Sequence, residues 1–173
     1  MDNIHHLQQT LMQQELTRYF LAEKYESLLF VIVGIVAIGC SAWLWATGHV
    51  FKSIGFPLVA VGLIQIVVGG SVYLRSDNQI ATLQEQVQSV PAAYKADEIK
   101  RMDVVNKNFG IYKIIEIALF LVGVALVFMF PRNDTWYFIG AGLIIQSSFM
   151  LSFDLFAEHR AHLYVDYILK YIP

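Results

Sequence analysis

Charged side chains cut this sequence into long apolar windows. None falls between Glu26 and Lys52, between Lys52 and Arg75, or between Asp134 and Asp154, and only Glu116 falls between Lys113 and Arg132. A bilayer core of ~30 Å takes about 20 apolar residues in helical conformation. Four windows meet that requirement and predict membrane spans near 27–47, 54–74, 111–130 and 136–155. Glycine and proline, the residues that stop helices, are absent from 1–33, 75–90, 92–109 and 143–172. Outside the apolar windows they mark turns: Gly48, Gly55 and Pro57 after the first span, Pro91 between the halves of the chain, and Pro131 after the third span. Each span therefore continues as helix beyond the lipid, which predicts helices near 3–46, 54–90, 92–130 and 135–171. Their similar lengths predict one all-α domain over 1–173, a polytopic membrane protein folded as an antiparallel four-helix bundle.

The parts outside the lipid, near 3–26, 75–110 and 156–171, carry helical periodicity of their own. Ile4, Leu7 and Leu11 form a stripe on the first arm, Ile80, Leu83, Val87 and Val90 on the second, and Ile99, Met102, Val105 and Phe109 on the third. These stripes are expected to meet in a small core on the water side. A faint internal repeat joins "AVGLIQIVVGG" in the second span to "GAGLIIQSSFM" in the fourth. A duplicated hairpin would produce it, and so would chance.

Composition changes the picture only by confirming its class. With 57% hydrophobic and 15% charged residues, the chain is too apolar for an ordinary soluble domain. A net charge of −2 and the lack of any Lys/Arg-rich run exclude a nucleic-acid partner. Ten of the twelve Lys and Arg fall on one side of the predicted spans, and only Lys52 and Arg132 on the other. By the positive-inside rule both termini are expected to be cytoplasmic. Trp43, Trp45, Trp136 and Tyr137 suit an aromatic belt at the outer interface. The first twenty residues lack the basic start and short apolar core of a cleaved signal, so uncleaved insertion is expected. Cys40 is alone, which rules out an intramolecular disulfide and suggests a small packing residue.

Polar residues inside the spans are the candidates for function. Gln65 and Gln146 lie near mid-membrane, where amides are expected to hydrogen-bond across helices; they either fix register or line a polar pore. Glu116 is the one ionisable group within an apolar window, with Lys113 three residues before it on the same helix and Arg75 able to snorkel to the same level. It is either half of a structural pair or the acidic element of an ion path or of a partner-binding polar patch. Counting from the turns sets it level with Gly69, Gly70 and Ser152, whose small side chains would leave room beside it. Asp154, Glu158 and His162 follow at i, i+4 and i+8, a face of polar groups leaving the fourth span. Two or three such ligands on one helix make half a metal site, and His5 and His6 belong at the far tip, so no metal is expected. Haem has no histidine within a span interior to bind, and no other cofactor motif or catalytic constellation occurs. Small residues recur at helical spacing: Gly34, Ala37 and Ser41, then Gly62, Gly69 and Gly70, then Gly140 and Gly142. They mark packing faces, more of them than one bundle needs, which suggests a homo-oligomer and most simply a dimer.

In size and topology the chain is similar to the four-span immunity proteins of pore-forming bacteriocins, a resemblance of architecture alone. It implies a non-enzymatic protein of the bacterial inner membrane that works by binding a membrane-acting protein toxin. The alternative from the polar residues is an oligomeric ion channel or membrane-permeabilising effector.

Overall fold

The computed structural model describes residues 2–172, with side chains from Leu7 onward. They form an all-α chain of four long helices, α1 (Asp2–Ala46), α2 (Gly55–Ser89), α3 (Pro91–Met129) and α4 (Asp134–Tyr171), with one 3-10 turn at Val50–Ile54 before α2. Each helix contains a stretch long and apolar enough to cross a membrane. Each helix runs without a break from its apolar part into its polar extension.

The breaks have local causes. Gly48 takes φ 62°, a left-handed conformation open to glycine, just after the end of α1. The Trp45 indole N–H donates across the turn to the Lys52 carbonyl at 2.8 Å, and the Phe51 N–H donates to His49 Nδ1 at 3.3 Å. Pro91 cannot donate into the end of α2 and starts α3, where its missing N–H costs nothing. Pro131 follows α3, and Asn133 caps α4 by accepting from the Trp136 N–H.

Packing follows the two hairpins. Along α1 and α2 the partners are Gly34 with Gly62, Ser27 with Gly69, Lys24 with Asp77 and Thr17 with Gln84. Along α3 and α4 they are Gly123 with Gly140, Lys113 with Glu158, and Tyr94 with Tyr164. α4 also packs on α1 and α2, whereas the α1 and α3 backbones lie apart across the diagonal.

The inside of the bundle changes character along its length. In the polar extensions the interior is large and apolar: Met12, Leu16, Phe20, Val87, Tyr94, Met102, Tyr164 and Ile168 are buried together. In the apolar half it is small and polar: Ser27, Ala37, Ser41, Gly62, Gln65, Gly69, Glu116, Gly123, Gly140, Gln146 and Ser147 are buried. There the large side chains point outward, with Ile35 at 56%, Val67 at 67% and Ile114 at 70% exposure.

Three sequence expectations change. The α1 stripe does not run through Leu7, which is exposed; Met12, Leu16, Tyr19 and Phe20 supply the buried face, because they are the positions that meet α2 and α4. Val90 is likewise exposed, since it sits in the break before α3. Ile4, His5 and His6 have side chains outside the described residues. Cys40 is exposed rather than packed, on the side of α1 away from the hairpin. In the weak internal repeat, the matched glycines pack differently: Gly62 on Gly34, and Gly142 on Pro57 and Ile54.

Candidate functional site

Glu116 is 1% exposed, and its carboxyl lies within hydrogen-bonding reach of the Asp154 carboxyl on α4. Neither Glu116 oxygen receives a donor. The lysine expected to serve it, Lys113, reaches across to Glu158 instead, with its ammonium 2.6 and 2.8 Å from the two carboxylate oxygens. Arg75 lies 3.9 Å from Glu23 of α1. The reason is geometric: Glu116 faces into the bundle, while Lys113 is half-buried and Arg75 exposed at its edge. The neighbours inferred by counting also change. Gly69 faces α1, where a methyl group would stand 2.6 Å from the Ser27 carbonyl oxygen; Gly70 opens outward and Ser152 is exposed.

Around this level lies a belt of ion pairs between helices. Lys113–Glu158 joins α3 to α4, Arg160–Glu26 joins α4 to α1, and Lys24–Asp77 joins α1 to α2. Glu23 is half-buried beside them. Burial pushes its carboxyl above the usual range, against the pull of Arg101, Arg75 and Arg160. Burial likewise pulls the Arg160 guanidinium down. The polar face read from sequence is thereby divided: Asp154 turns to Glu116, Glu158 to Lys113, and His162 is exposed. Among the described residues no three His, Cys, Asp or Glu side chains converge as metal ligands.

Gln65 and Gln146 are buried, at 0% and 3% exposure. The expected cross-helix hydrogen bonds are absent: both amide atoms of Gln65 and the Gln146 nitrogen lack partners. Gln65 lies where Gly34 and Gly62 bring two backbones together, and the facing side chains there are apolar. The nearby helix carbonyls are already committed within their own helices.

Sequence reasoning missed a second buried polar group in the extensions. Arg101 donates through Nε and Nη2 to the Glu98 carboxylate at 2.8 and 2.7 Å, and Glu98 is 2% exposed. The Tyr164 hydroxyl donates to Glu98 at 3.0 Å and lies 2.8 Å from the Tyr94 hydroxyl. Tyr19 stacks on Tyr164 with ring centroids 4.4 Å apart, and Arg101 lies over Phe20. Burial opposes the Arg101 charge, but the hydrogen bonds and charge of Glu98 outweigh it and hold the guanidinium above its usual range. Burial raises the Tyr19, Tyr94 and Tyr164 phenols, which keeps them neutral. The signal in the sequence was Glu98 itself, a charge four residues from both Tyr94 and Met102 on one apolar stripe.

No protein-family model, curated protein or solved structure matches this chain. Beside the Tyr164 cluster, Arg18, Tyr19, Arg160 and Tyr167 line a cleft of about 180 Å³ between α1 and α4. That is below the ~300 Å³ at which small-molecule sites begin. The Glu98 cluster has its own hydrogen bonds and ties α3 to α4, whereas the Glu116 oxygens, the Gln65 amide and the Gln146 nitrogen are buried without a donor or acceptor to match them. The candidate site is therefore the polar interior of the apolar half.

Proposed function

We propose that this chain is a multi-pass protein of the bacterial inner membrane, an antiparallel four-helix bundle with cytoplasmic termini, that acts without catalysis by binding another protein. Its most specific form is an immunity protein against a membrane-acting toxin. The observation that carries the membrane reading is the reversal of burial along the bundle. Water drives large apolar side chains inward, as in the extensions; lipid has no such preference, and close packing of small residues holds helices together. The turns at 47–54 and 130–133 are short, so a partner arriving from the outer side meets mainly the apolar flanks of the helices. Those flanks carry unpartnered large side chains such as Ile35, Val67 and Ile114, and the outward-facing Gly70 and Gly39 offer places of close approach for a second copy or another helix.

An oligomeric channel is the second reading, supported by three buried polar side chains: neither Glu116 oxygen receives a donor, and both Gln65 amide atoms and the Gln146 nitrogen are unmatched. The Gly34–Gly62 and Gly123–Gly140 contacts close the space within each hairpin, so a path would run between hairpins or among several copies. A growth assay separates the two readings. An immunity protein is harmless when overexpressed alone and protects a host producing its toxin; a pore former depolarises its own host. Depolarisation by the wild-type chain alone would replace the first reading with the second.

A further inference from the structure

We infer that Glu116 and Asp154 together form a proton-binding site, two carboxyl groups from adjacent helices sharing one proton. The inference rests on the burial and contact of two side chains, and it holds whichever protein partner the bundle has. Glu116 is 1% exposed with two unpartnered oxygens, and the Asp154 carboxyl stands within hydrogen-bonding reach of it. Two ionised carboxylates in contact repel, and neither has a hydrogen to offer the other. A single proton resolves both problems, since the protonated group becomes a donor to its neighbour.

The surrounding charges do not supply another solution. On α3, Lys113 is engaged with Glu158, and on α4, Glu158 adds a further negative charge near Asp154. From α1, Glu26 is tied to Arg160, and Glu23 of α1 faces Arg75 of α2. Among the described residues none of these cations reaches the pair. A metal ion fits poorly, because Ca²⁺ takes about six to eight oxygen ligands and Mg²⁺ about six. This pair brings two carboxyls, and among the described residues no three His, Cys, Asp or Glu side chains converge as metal ligands. A proton needs only the two oxygens that meet.

The site lies between α3 and α4, just inside the Lys113–Glu158 pair. Taking up or losing the proton changes the charge held between these helices by one unit, so α3–α4 packing is linked to proton activity on whichever side has access.

Infrared difference spectroscopy on the full-length protein in mild detergent tests the inference. A protonated carboxyl has a C=O stretch distinct from carboxylate bands and shifts in D₂O. At neutral pH the wild-type chain should show one such band that disappears in Glu116→Gln, and Asp154→Asn should remove or shift it. Glu23→Gln should leave it in place. Absence of the band in wild type, or its persistence in both Glu116→Gln and Asp154→Asn, overturns the inference. If either variant fails to keep wild-type helicity and size, the wild-type band and its loss in the other variant decide. The growth assay is a separate readout, so the partner reading can fail while the proton site stands.

Discussion

The Tyr164 hydroxyl of α4 donates to the Glu98 carboxylate of α3 across 3.0 Å, at a point where the carboxylate is 2% exposed. Arg101 completes the coordination of Glu98 from its own helix. Tyr164→Phe removes one donor and should cost about 1–3 kcal/mol. Glu98→Ala leaves the Arg101 charge without its partner and should cost about 3–5 kcal/mol. Unfolding followed by circular dichroism in mild detergent orders the two; equal, negligible losses would show the cluster to be slack.

The α1–α2 hairpin depends on backbones in contact. A methyl group on Gly34 would stand 2.6 Å from the Gly62 carbonyl oxygen, whereas one on Gly39 would meet nothing within 4 Å. Gly34→Ala should therefore destabilise the hairpin by about 1–3 kcal/mol through overpacking. Gly39→Ala should be neutral or slightly stabilising, since alanine is the better helix former. The pair of variants, compared by thermal unfolding, reads packing separately from helix propensity.

Glu23 makes stability depend on pH. Its carboxyl is raised in the folded state, chiefly by burial, so the folded chain holds that proton more tightly than the unfolded chain does. The associated stability is fully present below the ordinary glutamate range and is lost as pH rises through the raised folded value. Glu23→Gln should flatten the stability profile between those two limits. Superimposable slopes for variant and wild type would place the dependence elsewhere.

Topology can be read by labelling. In a Cys40→Ser background, cysteines at Lys52 and Arg132 should react with a membrane-impermeant maleimide on intact spheroplasts. Cysteines at Arg75 and Lys107 should react only after permeabilisation. Arg75 labelling without permeabilisation would reverse the proposed orientation.

The helices were legible because their signals are local. Gly48, Pro91 and Pro131 interrupt an otherwise unbroken helical text, and the structure ends or starts a helix beside each of them. The side-chain partners were less so, because they depend on how helices rotate about their own axes. Lys113 lies three residues from Glu116 in sequence, yet it answers Glu158, 45 residues away. Gln65 and Gln146 were correctly read as buried, but burial does not say what faces them. Glu98, Arg101, Tyr94 and Tyr164 lie outside the apolar windows, where charge looks ordinary until the extensions are seen to share a core.

The uninterrupted helices have a mechanical consequence. α1 alone runs for 45 residues and α3 for 39, each as one unbroken helix with no proline inside it after the first position. A tilt of about 3° along a rod of ~60 Å moves its far end by about 3 Å, comparable with the side-chain contacts at stake. Force applied at the 47–54 turn is therefore delivered to the Tyr94–Tyr164 end as displacement, with the chain serving as a set of stiff levers that share one fulcrum belt of ion pairs.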